Sequence, residues 1–416
     1  MKIAMASEYF WPHDLGGSEW STFYLAKELT KKGHQVIIIT PNYGSKDYEI
    51  LGSLKVFRFP FFRKIKGDVA MSPFWHTNII WVLLSTFYLI KICKKEKVDI
   101  LHLQGKYYTP AGFFAKKLIN IPVILTTRDY QLICNYGFCI WEKTKSCNLI
   151  EYFSSDFRQY VKQYLSSKSQ LNIALNILFA VRARLIKSIF NFFAKQLDLI
   201  ICISNAQAGI YRSNGFKNIT IINNSMEFEG IKETRIGNYI LFAGRLTPGK
   251  GIDLLLRSLP RVFKKYMGLK IYIIGEGFMK NKLLALARRY GFEKNVSFLG
   301  EINHKRLLEM LSRAKIAVVP SVWPEPFGRV ALESLSQGTP VVVTKRGGLP
   351  EIIEDSQTGY ICQANVASLS SSILKAIKNN KKLRVNINKK YKLLKYNFQI
   401  KNIKSYIELY KQVLKK

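Results

Sequence analysis

Short apolar runs rich in β-branched residues alternate with longer helix-like stretches along most of this sequence. This alternation limits the possible folds more than any other feature, because it is typical of a parallel sheet with helices on both faces. The runs form two successive sets, and we therefore predict two Rossmann-like α/β domains. The first set of predicted strands is 2–7, 35–40, 55–60, 99–104, 122–127 and 198–204, and the second is 239–244, 270–277, 296–300, 316–321, 340–344 and 359–362.

The boundary between the two sets is predicted near residues 223–236. A chain of 416 residues is long enough for two cores, and an apolar share of 48% fits a globular protein. We accordingly predict domains of residues 1–222 and 223–399, followed by a terminal helix at 400–416.

The charge balance points to an anionic partner, because 64 basic and 28 acidic residues give a formal charge of +36. Nucleic acid, an anionic membrane surface and phosphorylated substrates all meet that description. The cations are spread along the chain, with a dense run of 13 basic residues and one acid between 378 and 416. A nucleic-acid-binding protein should instead group its charge with exposed aromatic residues, so we expect no nucleic-acid partner.

Two apolar segments bear on membrane contact. The run 79–90 is shorter than the ~20 residues of a spanning helix and predicts a buried or surface-lying helix. The segment 148–196 fits neither set of strands, and between 158 and 195 it carries seven basic residues and no acid. Such a basic amphipathic helix indicates a membrane surface or a partner, or else a helix that packs on its own domain with its charges in solvent. We expect a cytoplasmic chain without a signal peptide, held on the inner face of the membrane.

The six cysteines include a loose cluster at 134, 139 and 147. Their spacing lacks the paired pattern of a zinc site, and we expect three reduced thiols in preference to a metal site or a disulfide. Cys93, Cys202 and Cys362 lie in apolar runs and are expected to be buried thiols.

A glycine-rich turn, FAGRLTPGKGID at 242–253, follows one predicted strand and opens a helix. Its glycines allow close backbone approach, and the helix start adds oriented N–H groups. Arg245 and Lys250 supply two cations that we expect to have no neighbouring carboxylate. This combination suits a diphosphate.

A second turn, SVWPEPFGRVALE at 321–333, follows another strand in the same way. A helix is predicted to begin near Phe327, so that its first amides point above the strand. Carboxylates accept hydrogen bonds from paired hydroxyls, so Glu325 and Glu333 are suited to the sugar and ribose parts of a ligand. We expect no metal here, because no acidic D-x-D pair stands at a strand end.

A set of eight segments, taken in order and at these spacings, resembles the retaining glycosyltransferases of the GT-B fold, family 4 type, also called glycosyl transferases group 1. The likeness covers nearly the whole chain. The segments are GGSE (16–19), DILHLQG (99–105), DLIICIS (198–204), GRLTPGKGID (244–253), IIGEG (273–277), VSFLGEI (296–302), PSVWPEPFGRVALESLSQGTPVV (320–342) and GGLPE (347–351).

The resemblance implies an N-terminal acceptor domain, a C-terminal domain for a nucleotide-diphosphate sugar, a cleft between them and a terminal helix that crosses back. It implies transfer of the sugar, with retention at the anomeric carbon, to a lipid-linked or saccharide acceptor in cell-surface glycan or glycolipid synthesis. A sugar-nucleotide epimerase on the same fold stays open as an alternative. The residues implied in catalysis are Glu325, Arg245 and Lys250, and those implied in donor binding are Gly16, Gly17, Gly244, Arg245, Lys250, Gly275, Phe327, Gly328, Arg329 and Glu333.

The chain departs from the family pattern on the acceptor side. Gln104 stands two places after His102, where many relatives have histidine, and Arg128 with Asp129 replaces another frequent histidine. His102 is either an acceptor-side residue or a core residue at a strand end. Arg128 is expected to meet an acceptor phosphate or to pair with Asp129.

Overall fold

The computed structural model describes residues 1–13, 16–61, 64, 72–141, 144–164, 173–231 and 234–415. The chain divides into two compact units. The first contains Met1–Val161, Leu165–Glu227 and Phe398–Lys416, and the second contains Lys162–Tyr164 and Phe228–Asn397.

The first unit is built on an eight-stranded sheet in the order β3-β4-β2-β1-β5-β6-β7-β8, parallel except at β3. Its inner strands are fully buried, as expected for apolar runs covered on both faces. The strands are β1 (Lys2–Ala6), β2 (Gln35–Asn42), β3 (Tyr48–Leu51), β4 (Leu54–Pro60), β5 (Ile100–Leu103), β6 (Val123–Thr127), β7 (Leu199–Cys202) and β8 (Ile219–Ile221). The helices are α1 (Gly17–Lys31), α2 (Ile79–Glu96), α3 (Thr109–Ile119), α4 (Leu149–Glu151), α5 (Arg158–Tyr164), α6 (Ile173–Lys195) and α7 (Asn205–Ser213).

Two strands of this sheet were not predicted. The short strand β3 turns back on β4 as an antiparallel hairpin, and its alternating exposed residues give no continuous apolar run. At the other edge β8 has only three half-buried residues. Both are edge strands, whose residues are less buried than those of the inner strands, and their sequences therefore show a weaker apolar pattern.

The second unit has a six-stranded parallel sheet in the order β11-β10-β9-β12-β13-β14. All six strands fall on predicted apolar runs. They are β9 (Tyr239–Ala243), β10 (Lys270–Ile274), β11 (Val296–Gly300), β12 (Ile316–Val319), β13 (Val341–Thr344) and β14 (Gly359–Cys362). The helices are α8 (Ile252–Lys265), α9 (Lys280–Arg289), α10 (His304–Arg313), α11 (Arg329–Ser336), α12 (Val366–Lys378) and α13 (Asn380–Lys395).

The last helix, α14 (Lys401–Leu414), belongs to the first unit, as the predicted return of the C-terminal helix requires. Its buried residues Tyr406, Tyr410 and Val413 share a core with strands β1 and β2. The Tyr410 hydroxyl also lies 2.7 Å from His102 Nδ1 on β5. Two parallel-sheet units with such a returning helix confirm the predicted α/β class.

Among the described residues, none of the helices combines the length and apolar content needed to span a membrane.

Candidate functional site

The polar residues of the second unit gather where the order of its sheet reverses. Strands β9 and β12 are neighbours, and the chain adds later strands outward from each of them in opposite directions. In open α/β sheets ligands bind outside the carboxyl ends of the strands at such a switch point. The glycine-rich turn follows β9, and the loop carrying Glu325 follows β12. Both predicted ligand-binding turns therefore leave the sheet side by side.

The two turns are in direct contact. The backbone N–H groups of Val322 and Trp323 donate to the carbonyl of Gly249, at 2.9 and 3.3 Å. Gly251 sits at φ +66°, and a Cβ there would lie 1.9 Å from the carbonyl oxygen of Pro320. A side chain at this position would push the turns apart, so the glycine is required by close approach as well as by its backbone conformation.

Glu325 is buried and receives four hydrogen bonds. Lys250 Nζ reaches its two carboxylate oxygens at 2.8 and 3.0 Å. The hydroxyl of Ser321 and the indole N–H of Trp323 each donate to Oε2 at 2.9 Å. Burial alone would raise the pKa of Glu325, but the Lys250 charge and these donors outweigh it and hold the pKa below its usual value. The expectation that Lys250 has no neighbouring carboxylate is wrong, because β12 brings Glu325 to it.

Glu333 lies on α11 with only 2% of its surface exposed. Its Oε1 accepts from Arg329 Nε at 2.7 Å, one helical turn away, and lies 2.9 Å from His304 Nε2 at the start of α10. Burial again opposes ionisation of this carboxyl. The charges and hydrogen bonds of Arg329 and His304 overcome it and lower the pKa of Glu333.

The other predicted donor-side residues have mixed surroundings. The helix begins at Arg329, two residues after Phe327, near which its start was predicted, and the Phe327 side chain is buried. Gly328 is its N-cap residue at φ +100°. Arg245 is exposed. Gly244 and Gly275 end the adjacent strands β9 and β10, where the Gly244 N–H donates to Ile274 O at 3.0 Å.

The first unit repeats the arrangement at the junction of β1 and β5, where its own strand order reverses. Glu8 follows β1, and its Oε1 accepts from the N–H of Tyr107, just after β5, at 3.0 Å. A Cβ on Gly105 would lie 1.8 Å from the Glu8 carboxylate, so the glycine makes room for the acid. Burial raises the pKa of Glu8, and the opposing effects of Lys106 and of the Tyr107 N–H do not cancel it.

Of the three predicted acceptor-side residues, Asp129 acts on this carboxyl, and its charge contributes to raising the pKa of Glu8. Lys106, not Arg128, forms the ion pair with Asp129. Arg128 instead donates to Gln104 at 2.6 Å and to Asn224 at 3.0 Å. The predicted alternative of an Arg128–Asp129 salt bridge is therefore wrong, because β5 supplies a lysine to the aspartate and a side-chain amide to the arginine.

His102 is a core residue. It is fully buried in β5, with Nδ1 beside the Tyr410 hydroxyl and Nε2 2.7 Å from the Thr126 hydroxyl. Burial lowers its pKa to about 3, so the ring is neutral in ordinary conditions. The alternative of an acceptor-side role is not supported. Gly16 and Gly17 stand at the start of α1, Gly16 as its N-cap residue.

The cysteine cluster differs from expectation. Cys147 is disulfide-bonded, which contradicts the prediction of three reduced thiols. Cys134 is a buried reduced thiol, as are Cys93, Cys202 and Cys362. The side chain of Cys139 lies outside the described part of the structure. Spacing alone gave no sign that the fold would bring 134 and 147 together.

Sequence reasoning missed several residues that the structure places at these sites. Ser321 and Trp323 lie inside the motif that was recognised, and a count of possible donors to Glu325 would have included them. Glu8, Lys106 and His304 each follow a strand directly or open a helix after one, and that position at the carboxyl end of a parallel strand was the available signal.

Two family models match this chain. The model for Glycosyltransferase Family 4 covers residues 15–229, and the model for Glycosyl transferases group 1 covers residues 224–393. The chain belongs to the family 4, group 1 glycosyltransferases. The fold of this glycosyltransferase is accordingly GT-B, as the resemblance implied.

Relatives of this glycosyltransferase match over most of its length. An uncharacterized glycosyltransferase of Methanocaldococcus jannaschii is 28% identical, over 86% of this chain and 84% of the relative. The GPI3 subunit of the phosphatidylinositol N-acetylglucosaminyltransferase of Saccharomyces cerevisiae is 26% identical, over 90% of this chain and 75% of its own.

Solved structures share the fold at low sequence identity. Sucrose-phosphate synthase from Thermosynechococcus elongatus superposes with a TM-score of 0.73 at 17% identity, covering 99% of this chain and 98% of that one. Anabaena Alr3699/HepE in complex with UDP-glucose superposes with a TM-score of 0.66 at 17% identity, covering 98% of each chain.

Proposed function

We propose that this glycosyltransferase moves a sugar, with retention of anomeric configuration, from a nucleotide-diphosphate sugar to a lipid-linked or saccharide acceptor in cell-surface glycan or glycolipid synthesis. The second unit holds the donor, and the first unit holds the acceptor. The enzyme works in the cytoplasm, on the inner, anionic surface of the cell membrane.

The observation that carries this proposal is the paired charge at the β9–β12 switch point. The half-buried Lys250 donates a hydrogen bond to the buried carboxylate of Glu325. The exposed Arg245 lies on the same turn as Lys250. A nucleotide-diphosphate sugar offers a partner to each member, since its phosphates suit the cations and its hydroxyls suit the carboxylate. In the proposal Glu325 meets the transferred sugar and Glu333 the ribose.

Charge development at the leaving diphosphate is met by the protein itself. In the proposal Arg245, Lys250 and the amides at the start of α11 stabilise that charge, and no metal or other cofactor takes part. Fixed donors aimed at developing charge are usually the largest electrostatic contribution to such a reaction.

The relatives support the substrate classes. The yeast protein is named as an N-acetylglucosaminyltransferase acting on phosphatidylinositol, which is a lipid. The Anabaena protein of the same fold is solved with UDP-glucose. Both facts concern those proteins, and for this chain they favour a nucleotide sugar as donor and a lipid-linked acceptor.

Exposed apolar side chains on the first unit support a membrane surface. Helix α6 presents its apolar residues to solvent, with Leu178 at 63%, Leu185 at 60% and Phe192 at 57% exposure. Helix α2 does the same through Leu83 and Phe87. The sequence left open a helix packed inward with only its charges in solvent, and an apolar face of this size favours insertion into a lipid interface.

The basic residues beside this face add attraction to anionic lipid. Arg182 on α6 lies over the Phe74 ring at 4.7 Å, at the edge of an apolar groove whose lining includes Ile79 and Leu178. Each lysine or arginine near an anionic bilayer contributes about 1 kcal/mol. Further candidates are the exposed lysines Lys91, Lys94 and Lys95 on α2 and Lys195 on α6.

The decisive assay is turnover against a panel of UDP-, GDP- and ADP-sugars with lipid-linked and saccharide acceptors. The expected result is nucleotide release that depends on the acceptor, and a product whose anomeric configuration by NMR equals that of the donor. Altered sugar formed without an acceptor would instead establish the epimerase, and an inverted product would refute retention.

Membrane association is tested by flotation with vesicles of rising anionic lipid content at low and high salt. The expected result is binding that grows with anionic lipid, weakens with salt and falls in the variant Leu178→Ser/Leu185→Ser. Leu393→Ser, a substitution at a leucine of α13 that is 52% exposed, is the control. A protein that stays in solution at every composition would favour a soluble saccharide acceptor.

A further inference from the structure

A second group of chemically capable side chains lies in the first unit, away from the residues discussed above. The thiol of Cys134, the sulfur of Cys147 and a carboxylate oxygen of Asp156 all lie within 4.8 Å of one another. All three residues are buried, and Asp156 has no exposed surface. Two sulfurs and a carboxylate converging inside a protein form a ligand set that zinc accepts.

The carboxylate of this group is held in place by the backbone. Asp156 accepts from the N–H of Phe138 at 2.8 Å and from the N–H of Tyr136 at 3.3 Å. Cys134 Sγ lies 3.2 Å from its Oδ2. A metal ligand is normally oriented by such additional hydrogen bonds, so Asp156 is already positioned for coordination.

Two basic residues of α6 lie beside the group. Arg184 donates to the carbonyl of Cys147 at 3.2 Å. Lys187 lies close enough for the charges of Cys134 and Asp156 to act on it. Thiolates and a carboxylate around one divalent ion carry excess negative charge, and nearby cations reduce the cost of burying it.

We propose that Cys134, Cys147 and Asp156 form a structural zinc site once the disulfide of Cys147 is reduced. The three described ligands leave a fourth position of the tetrahedron for another thiolate or a water molecule. The proposal concerns the architecture of the first unit and does not rest on the proposed transfer reaction.

The disulfide of Cys147 can be reduced by a dithiol of the kind that keeps cytosolic thiols reduced. The disulfide accepts two electrons and two protons and becomes two thiols, while the reductant becomes a disulfide. The thiols of Cys134 and Cys147 then each release a proton as zinc replaces it, and Asp156 coordinates as the carboxylate. Reoxidation to the disulfide removes one thiolate ligand and releases the metal.

The site would cross-link a long connection that already packs on the neighbouring helix α6. Cys134 and Asp156 lie in the residues between β6 and α5, and this segment already contacts α6 through Asn135, which donates to Ala183 O at 2.8 Å. Tyr152 donates to Ala180 O at 2.9 Å. Zinc would cross-link the segment at three points, of which the outer two, Cys134 and Asp156, are 22 residues apart in sequence, and this is how structural zinc adds stability to a loop.

The test is a zinc measurement on the full chain. The protein is reduced with a phosphine, equilibrated with zinc chloride, desalted and analysed by inductively coupled plasma mass spectrometry. We expect about one zinc ion per chain in the reduced wild type and in Cys93→Ser, a substitution at a buried thiol elsewhere. We expect at least about tenfold less zinc per chain in Cys134→Ser, in Cys147→Ser and in the disulfide form of the wild type.

A readout on the unaltered chain covers the case in which a variant fails to fold. Zinc should slow the alkylation of Cys134 and Cys147 in the reduced wild type, and it should leave that of Cys362 unchanged. Reduced wild type without bound zinc, Cys134→Ser with as much zinc as Cys93→Ser, or alkylation unaffected by zinc would each overturn the proposal.

Discussion

Glu8 in the first unit and Glu325 in the second each lie in a loop that follows one of the two strands between which the sheet reverses order. Their pKa values move in opposite directions. Glu325 is bonded to Lys250, Ser321 and Trp323 and its pKa is lowered, whereas Glu8 accepts from backbone N–H groups, including that of Tyr107, and its pKa is raised. Burial acts on both carboxyls in the same direction, so the difference comes from the donors around them.

A shared topology therefore sets where polar groups meet but leaves the charge of those groups to the side chains around them. In the second unit two buried carboxylates are each matched by cations. In the first unit the available cation, Lys106, is bonded to Asp129 rather than to Glu8. The surroundings at the second switch point therefore favour ionised carboxylates, whereas burial at the first disfavours ionisation of Glu8.

The strongest test of this contrast removes the charges of the second unit. Lys250→Ala and Glu333→Ala should each lower kcat/KM by roughly 30-fold or more, because losing one partner of a buried charged contact costs about 2–5 kcal/mol. Arg245→Ala should behave similarly. Steady-state kinetics with the best donor of the panel provides the measurement.

Arg313→Ala is the matched control for these variants. Arg313 pairs with Glu309 on the exposed surface of α10, where ion pairs contribute little, and its activity should stay near wild type. Wild-type rates in both Lys250→Ala and Glu333→Ala would remove the basis for placing the donor in the second unit.

A comparison of glutamine substitutions tests the charge states themselves. Glu333→Gln should lower the melting temperature by several degrees at pH 7, because Arg329 loses its buried partner, a loss of about 2 kcal/mol. Glu8→Gln should leave it unchanged or raise it slightly, because glutamine resembles the protonated acid that burial favours. Differential scanning fluorimetry at several pH values measures both.

The signs follow from linkage. Since the pKa of Glu333 is lowered, its stabilisation is present above the usual value of about 4.5 and is lost as the pH falls through the folded pKa. Since the pKa of Glu8 is raised, stability falls as the pH rises from 4.5 through its folded pKa. Equal destabilisation by both substitutions at pH 7 would contradict the contrast.

Much of this architecture could be predicted because strands that are buried on both faces require continuous apolar runs, which the sequence shows directly. The inner strands of both sheets lie on continuous apolar runs, and all six strands of the second unit were predicted. The motif at 321–333 identified Glu325 and Glu333 because their spacing and turn residues are local features. What could not be read is which distant groups meet, since the pairing of Lys250 with Glu325 joins residues 75 positions apart.

The same limit explains the errors in the first unit. Arg128 and Asp129 are adjacent in sequence, and this adjacency suggested a salt bridge between them. In the structure two residues that follow β5 are their partners instead, because Gln104 accepts from Arg128 and Lys106 pairs with Asp129. The edge strand β3 and the disulfide of Cys147 likewise depend on how connections run between elements. Local pattern predicts elements, and tertiary packing decides their partners.

A buried histidine is expected to make the first unit sensitive to mildly acidic pH. The folded pKa of His102 is about 3, below the usual value of about 6.5, so the unfolded state binds more protons between these values. Stability should therefore fall as the pH drops below 6.5, by about 1.4 kcal/mol per pH unit from this group. His76, also buried with a pKa of about 3, adds to the effect in the same unit.

Hydrogen exchange localises this acid sensitivity. Between pH 7 and pH 5, after correction for intrinsic rates, amide protection should fall in β5 of the first unit and hold in β12 of the second. The variant His102→Gln, which cannot take up the proton, should show a smaller change in β5. Equal loss in both strands would mean that the histidines do not set the difference.

The smallest expected effect is that of chelation on catalysis. If Lys250, Arg245 and helix amides neutralise the diphosphate, EDTA should leave the rate of transfer largely intact. The zinc proposed for the first unit complicates a simple reading, because reduced protein would lose that metal as well. The assay is therefore run on the disulfide form and on Cys134→Ser, neither of which is expected to hold zinc.

Activity that is abolished by EDTA in these two samples and restored by Mg²⁺ or Mn²⁺ would show that a metal acts on the donor. Activity that falls only in reduced wild type and returns with Zn²⁺ would assign the loss to the cysteine site and leave the second unit free of metal.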